Sequence, residues 1–255
     1  MSKSLIVDIG NSQIEMGIFD QEVLLDKMFF ETKIFKESYQ EGKIAAFIKN
    51  RFDISGGIIF SVVPSLTKKL QEQIEKEIGV RIAIFNPDSI LKNFKAHIDN
   101  PNEVGQDLLA DIYGAIHYYG VPIIVSDLGT VTKNIIIDKD GYFEGVSFFP
   151  GLQTNASVLA SNTAQLPLID NLEKPKLFYG KNTIDAMSSG IYYCHVAAIK
   201  GFMNKADEHF GYKFKKVITG GFANLFKDDF PKEKYIVDQT LVLKGMNLIY
   251  LNSKE

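Results

Sequence analysis

The segment Leu5-Ile6-Val7-Asp8-Ile9-Gly10-Asn11 has a second copy in the same chain, Ile123-Ile124-Val125-Ser126-Asp127-Leu128-Gly129-Thr130. Each copy is an apolar run followed by Asp, one apolar residue, Gly and a polar residue. The two Asp residues lie nearly half the chain length apart. In both copies a segment that alternates like a strand comes next, at residues 14–19 and 134–138. A repeat at this spacing predicts a duplicated lobe.

The turn at residues 10–12 joins the first apolar run to the alternating segment that follows it, which predicts a β-hairpin. Residues 22–30 predict a third strand, so the chain opens with a meander and a Rossmann fold is disfavoured. Further on, the patterns predict helices at residues 36–52, 66–78, 182–210 and 239–251. We therefore expect an α/β protein with duplicated hairpin-first mixed sheets flanked by helices, with lobes at residues 1–118 and 119–255.

Composition limits the class of partner. The net charge is -3 and the sequence pI is about 5.9, which argues against a nucleic-acid partner. The single cysteine excludes an internal disulfide framework and suits a reducing compartment. The sequence contains no apolar run long enough for a membrane helix and no signal peptide, so we expect a cytoplasmic enzyme with a small-molecule substrate.

The repeated turns have the residues that phosphate binding needs. Gly lets backbone N–H groups approach phosphoryl oxygens, and an Asp at the strand end binds Mg²⁺ or its waters. One such turn alone is equally typical of an ordinary hairpin, because Asp, Gly and Asn dominate turns. A second copy, together with Gly220-Gly221 after the apolar residues 217–219, favours binding of a polyphosphate.

Several motifs in one order make the chain resemble the type III pantothenate kinases, a family of the actin and sugar-kinase superfamily with two ribonuclease H-like lobes. The first turn is similar to the Asp-x-Gly-Asn-Thr element of that family, and residues 100–107 are similar to its Gly-x-Asp signature. The second turn, Pro150-Gly151, residues 166–168 and the loop at residues 180–183 match later landmarks. The resemblance extends from residue 5 to about residue 225.

The resemblance implies ATP-dependent phosphorylation of pantothenate, the first step of coenzyme A synthesis. Asp107 would be the general base that accepts the substrate's hydroxyl proton. Substrate contacts would come from Gly105, Gln106, Asp107, Leu108 and Thr183. Asp8 would hold Mg²⁺, and the residues expected at ATP are Asp8, Ile9, Gly10, Asn11, Ser12, Gln13, Ile14, Glu15, Thr130, Gly220 and Gly221.

The resemblance also implies an ion and an assembly. In the family the residue matching Asp127 is tied to a monovalent cation, K⁺ or NH₄⁺. The family is dimeric with shared active sites, so Thr183 would contact pantothenate from the neighbouring subunit, and a homodimer is expected on this ground.

Three positions depart from the family pattern. Leu108 stands where the family has an Arg that helps bind the anionic substrate, and losing such a contact typically costs about 1.5 to 3 kcal/mol. Leu108 also fits an apolar helical stripe, as a core residue would. Lys133 and Ile135 stand where the family has Thr and Asp. Lys133 is interpreted either as a solvated surface residue or as a cation that contacts a phosphate or a carboxylate.

These departures leave two alternatives open beside the pantothenate kinase. One is a related kinase that phosphorylates another hydroxylated small molecule. The other is a non-catalytic regulatory or scaffolding relative that keeps the fold. Turnover with pantothenate distinguishes a pantothenate kinase from both of these alternatives.

Overall fold

The computed structural model describes residues 3–37, 42–48 and 53–253 of the 255-residue chain. The strands are β1 (Lys3–Ile9), β2 (Gln13–Asp20), β3 (Val23–Glu31), β4 (Ile54–Ser61), β5 (Ile82–Ile84), β6 (Ile123–Leu128), β7 (Val131–Ile137), β8 (Phe143–Pro150), β9 (Lys215–Thr219) and β10 (Ile236–Val237). The helices are α1 (Thr32–Glu37), α2 (Lys43–Ile48), α3 (Pro64–Ile78), α4 (Asp88–Leu91), α5 (Gln106–Tyr119), α6 (Leu152–Ser161), α7 (Thr183–Phe210) and α8 (Leu241–Asn252).

The strands form two sheets with the same topology. The first has the order β3-β2-β1-β4-β5, in which β1, β2 and β3 are an antiparallel meander and β4 and β5 run parallel to β1. The second has the order β8-β7-β6-β9-β10, again with three antiparallel strands followed by two parallel ones. The predicted α/β class with duplicated hairpin-first mixed sheets is confirmed.

Burial explains why the two repeated runs are apolar throughout. β1 lies in the middle of its sheet, and its residues from Leu5 to Val7 and Ile9 are fully buried. A strand with both faces covered reads as a continuous apolar run. The edge strand β3 instead alternates exposed and half-buried residues, as expected for a strand with one solvated face.

Contacts divide the chain into two compact units. Unit 1 comprises residues 1–94, 100–114 and 241–255, and unit 2 comprises residues 95–99 and 115–240. The terminal helix α8 therefore belongs with the first sheet, whereas the division made from the sequence placed residues 241–255 in the second lobe. The buried Asn247 of α8 explains this, because it accepts a hydrogen bond from Ser4 Oγ of β1 (3.1 Å) and donates one to Gln21 O (2.8 Å).

The core of unit 2 forms around the long helix α7. Ile191, Ile199 and Met203 of this helix are buried in one cluster with Ile124 of β6 and Ile218 of β9. The helix ends at Gly211, whose positive φ of 72° suits glycine. None of the helices that the structure describes is both long and apolar enough to span a bilayer.

One predicted helix differs from the structure. Residues 36–52 were expected to form a single helix, but α1 ends at Glu37 and α2 begins at Lys43, after Gly42 with a φ of +85°. A positive φ stops a right-handed helix, so the segment divides there. The remaining parts of that prediction, residues 38–41 and 49–52, lie outside the described residues. Helix α6 is an element that the sequence patterns did not predict.

Candidate active site

The first turn, at residues 10–12, is held in place by hydrogen bonds. Gly10 N–H donates to Gln13 O (2.9 Å), which closes the hairpin between β1 and β2. Thr32 then donates twice, from Oγ1 to Gly10 O (2.8 Å) and from N–H to Ser12 O (2.9 Å). The side chains of Asn11, Ser12 and Gln13 are exposed. A braced turn with exposed amide and hydroxyl groups is pre-organised to donate hydrogen bonds to an anion.

The residues on either side of this turn differ in how far they are buried, and therefore in whether they can contact a ligand. Ile9 and Ile14 are fully buried, and Ile9 O already accepts a hydrogen bond from Val62 N–H (3.1 Å), so neither residue exposes a group to a ligand here. Asp8 and Glu15 are half-buried and lie opposite each other in the β1–β2 register, while Glu15 also pairs with Lys27 (Nζ to Oε1, 2.7 Å). Two neighbouring carboxylates at a strand end are a suitable oxygen donor set for Mg²⁺.

Asp107 lies in the first turn of α5, and neighbouring residues restrict its position. Its Oδ1 accepts a hydrogen bond from Leu108 N–H (2.9 Å). A Cβ at Gly105 would come within 2.7 Å of the same oxygen, so a side chain there would displace the carboxylate. This gives a physical reason for the Gly-x-Asp spacing. The carboxylate of Asp107 is half-buried at a helix N-terminus, where the helix dipole favours negative charge.

A hydrogen bond between Gln106 and Ser61 brings the start of α5 to the edge of the first sheet that carries the first turn. Gln106 Oε1 accepts from Ser61 N–H (3.0 Å), and Ser61 is the last residue of β4. In the parallel pairing of β1 and β4, Ser61 is the partner of Ile9, directly before the turn. Unit 1 therefore collects Asp8, the turn and Asp107 at the carboxyl ends of β1 and β4, the edge where α/β sheets bind ligands.

Leu108 does not replace the missing Arg as a polar contact. Leu108 is only 4% exposed, and Leu109 and Ile112 of the same helix are also buried. The structure thus favours the core interpretation of this position over a substrate contact by its side chain.

The second turn, between β6 and β7, is held by the Pro150-Gly151 landmark. Gly151 N–H donates to Thr130 O (3.0 Å), and Thr154 Oγ1 donates to the same carbonyl (2.6 Å). A Cβ at Gly151 would overlap Gly129 O and come within 2.7 Å of Thr130 O. The Thr130 side chain itself is exposed. Glycine is therefore required at residue 151 for the backbone to approach and hold this turn.

The third turn closes against the second within unit 2. Gly220 has a φ of +89°, and a Cβ there would overlap Asp127 Oδ1 and the backbone of Leu128. Phe222 N–H donates to Leu128 O (3.3 Å), and Gly221 is exposed. The structure brings Gly220, Gly221 and Thr130 to the ends of the neighbouring strands β9 and β6.

Asp127 and Lys133 form a buried ion pair. They are direct partners in the β6–β7 register, and Lys133 Nζ lies 2.5 Å from Asp127 Oδ2. The side chains are 12% exposed for Lys133 and 7% exposed for Asp127. The interpretation of Lys133 as a solvated surface residue is therefore wrong, and its contact is a carboxylate. The structure places the next departure, Ile135, in the core with no exposed surface.

Thr183 is the first residue of α7 and is exposed. Its position depends on the preceding residues, since Asn182 Oδ1 caps the helix by accepting from Asp185 N–H (2.9 Å). A Cβ at Gly180 would overlap the backbone of Ala186, so the loop folds closely onto the helix. The structure thus presents the Thr183 hydroxyl at a capped helix N-terminus in unit 2.

A family model of the type III pantothenate kinases matches residues 4–205. The chain belongs to this family. A type III pantothenate kinase of Brevibacillus brevis is 33% identical to this member over 254 residues, covering 96% of this chain and 97% of that relative. The matched range contains the first and second turns, Asp107 and Thr183.

Solved structures agree with the fold of this pantothenate kinase family member. A Baf family protein of Campylobacter jejuni has a TM-score of 0.59 at 19% identity, with 98% of both chains covered. The activator of 2-hydroxyisocaproyl-CoA dehydratase from Clostridium difficile, solved with bound ADPNP, has a TM-score of 0.50 at 12% identity, covering 98% of this chain and 95% of that one. At these identities the likeness concerns the fold alone.

One group of possible metal ligands was missed by sequence reasoning. His97, Asp138 and Glu144 of unit 2 place their ligand atoms within 4.8 Å of one another, although they share no sequence spacing. Asp138 Oδ1 already accepts hydrogen bonds from the N–H groups of Asp140 and Tyr142, and His97 Nδ1 lies 2.8 Å from Glu144 Oε1. These contacts account for the cluster as a capped β-turn.

Proposed function

We propose that this chain transfers the γ-phosphoryl group of ATP to the primary hydroxyl of pantothenate. Family membership supports the reaction, and one observation supports the site most directly. The Gln106–Ser61 hydrogen bond fixes the helix start that carries Asp107 at the same sheet edge as the Asp8 turn. A base and a phosphate-binding turn at one edge are the parts that an in-line transfer to an alcohol needs.

In the proposed mechanism Asp107 accepts the proton of the attacking hydroxyl. Its carboxylate is fixed by Leu108 N–H and bordered by Gly105, so its orientation is set before substrate binds. The exposed polar side chains of Asn11, Ser12 and Gln13 contact phosphate oxygens, while Ile9 and Ile14 are fully buried. Thr130, Gly220 and Gly221 are the residues of unit 2 that we assign to ATP.

The proposal includes Mg²⁺, with Asp8 as the protein ligand. When bound, the ion neutralises charge on the phosphates and so lowers the barrier to transfer. The half-buried carboxylate of Asp8 at a strand end, with Glu15 opposite, fits an oxygen-preferring ion. A cytoplasmic location also belongs to this proposal, and it is supported by the use of ATP and by the lone cysteine.

A homodimer that shares its active sites is a further part of the proposal. Large apolar side chains are exposed directly before and at the start of α7: Leu177, Phe178, Tyr179 and Ile184. Neighbouring exposed apolar residues of this kind mark an interaction surface, and Thr183 lies among them. Light scattering on the purified protein tests the assembly, since a monomer at all concentrations would contradict it.

Neither alternative from the sequence is favoured by a specific observation. A retired regulatory relative needs no fixed base, whereas Asp107 is held by its neighbours in the first turn of α5. The match to a Baf family protein is a likeness of fold. The departure at Leu108 suggested a kinase that acts on another alcohol. Burial of that side chain makes it a packing residue.

The deciding experiment is a coupled ADP-release assay with ATP, Mg²⁺ and K⁺, with and without pantothenate. We expect pantothenate-dependent turnover, reduced in Asp107→Asn by about a hundredfold to ten-thousandfold in kcat, the usual contribution of general base catalysis. Glu72→Gln, an exposed carboxylate on α3, is the matched control and should be unchanged. Turnover that pantothenate does not stimulate would overturn the proposal.

A further inference from the structure

Lys133 and Asp127 are a feature that the family reaction does not require in this form. Both lie on one face of the second sheet, and Lys133 Nζ is 2.5 Å from Asp127 Oδ2. Only 5% of Asp127 is exposed. A buried carboxylate needs a positive partner, because loss of its hydration is costly unless a charge compensates for it. In this chain the positive partner is the Lys133 ammonium, which belongs to the same polypeptide.

The carboxylate of Asp127 has little room for an additional ion. Oδ2 contacts the Lys133 ammonium, and Oδ1 lies so close to Gly220 that a single added carbon there would overlap it. A monovalent cation bound at Oδ2 would therefore have to take the position that the Lys133 ammonium already occupies. The side-chain ammonium group resembles NH₄⁺, since both offer N–H donors and one positive charge.

The neighbouring departure from the family pattern changes the charge in the same direction. Ile135 follows Lys133 by two residues on the same strand, so both side chains lie on one face of the sheet. It is fully buried, and it stands where the family resemblance predicts an Asp. The site thus gains one fixed positive charge and loses one negative charge. The Asp127 carboxylate is matched by the Lys133 ammonium without an ion from solution.

We propose that the Lys133 ammonium takes the place of the monovalent cation at Asp127, so that this chain works without K⁺ or NH₄⁺. Lys133 acts as a positioning residue, because it fixes the end of β6 from which the Gly129-Thr130 turn continues. The catalytic part of this inference rests on the proposed kinase function. The structural part concerns ion binding and stands independently of it.

One neighbouring residue defines the opposing possibility. Thr219 is the β9 partner of Asp127, and its buried hydroxyl has no hydrogen-bond partner among the described residues. A small ion that still entered this region would contact that hydroxyl. Wild-type protein that binds K⁺ specifically would therefore contradict the substitution of the ion by Lys133.

The first measurement compares wild-type activity in K⁺, NH₄⁺ and tetramethylammonium chloride at one ionic strength, so that general screening is constant. We expect kcat/KM to differ by less than about twofold between these salts, since the tethered charge is always present. Activation by K⁺ of about tenfold or more would overturn the proposal.

The second measurement uses Lys133→Thr, which restores the family residue. We expect its melting temperature to rise with K⁺ or NH₄⁺ but not with tetramethylammonium, while the wild type does not respond to K⁺. The control Lys216→Thr removes another buried lysine, paired with Asp207 at 2.9 Å, and should show no K⁺-specific rise. A Lys133→Thr protein indifferent to K⁺ would overturn the proposal.

These two readouts separate the two proposals. If the chain does not phosphorylate pantothenate, the melting experiment still tests whether Lys133 replaces the ion. If Lys133→Thr does not fold, K⁺ independence of wild-type melting and turnover remains the test, because a K⁺-specific response of either one contradicts the inference.

Discussion

The side chain of Gln106 accepts a hydrogen bond from the backbone of Ser61 over 3.0 Å, and this contact joins the start of α5 to the end of β4. It links two segments that are far apart in sequence. Asp107 is the next residue along the helix, so loss of this hydrogen bond would displace the proposed base.

Gln106→Ala removes the acceptor and leaves Ser61 N–H without this partner. We expect kcat to fall about tenfold to a hundredfold, because small displacements of a catalytic group have effects of this size. Gln71→Ala is a matched control, since Gln71 donates a similar side-chain bond to Ile82 O at β5. Steady-state kinetics check the result. Equal losses in both variants would mean that the effect is general destabilisation.

Gly151→Ala should damage the second turn. The added carbon would overlap Gly129 O and press on Thr130 O, so the turn must move. We expect the KM for ATP to rise about tenfold, or the protein to lose about 1 to 3 kcal/mol of stability through overpacking. Gly190→Ala, inside α7 with no atom near the added carbon, should instead gain about 0.5 to 1 kcal/mol. Unchanged KM and stability in Gly151→Ala would contradict the bracing role.

Asn247→Ala tests the return of α8 to unit 1. The variant loses the bonds to Ser4 Oγ and Gln21 O and leaves the buried Ser4 hydroxyl without this acceptor, which should cost about 1 to 3 kcal/mol. Asn252→Ala, exposed on the same helix, should stay within about 0.5 kcal/mol of wild type. Denaturant unfolding measures both values. A small effect of Asn247→Ala would show that the apolar contacts of α8 suffice.

Asp207 should make folding sensitive to acid. Burial alone would raise the pKa of this carboxyl, but the Phe214 N–H together with Lys216 and Lys213 lowers it below its usual value. The ionised form is therefore favoured in the folded state. Its stabilisation is fully present above the unfolded pKa, near pH 4, and is lost as pH falls through the lower folded value.

Asp207→Asn should lower stability at neutral pH by about 2 to 4 kcal/mol, because Lys216 stays buried without its partner. The difference from wild type should shrink as the medium becomes more acidic than pH 4, since the wild type then loses the same interaction. Glu208→Gln, exposed beside it, is the control and should show neither effect. A difference that did not vary with pH would contradict the assignment.

Local patterns were sufficient where neighbouring residues decide the structure. The two apolar runs, the hairpins after them and the long helix α7 were predicted because strand alternation and helical spacing are properties of adjacent residues. The division of residues 36–52 into two helices was missed, since it depends on the positive φ at Gly42. The membership of α8 in unit 1 was also missed, because no local pattern indicates which sheet a helix covers.

The duplicated hairpin-first fold, the family and the residues of the proposed kinase site follow from the order of residue types along the chain. The meaning of the departures from the family pattern depends on packing in three dimensions. Leu108 became a core residue and Lys133 the partner of Asp127, at 4% and 12% exposed. The reason is that burial and ion pairing depend on which residues surround a side chain in space, and register across β6 and β7 sets that arrangement.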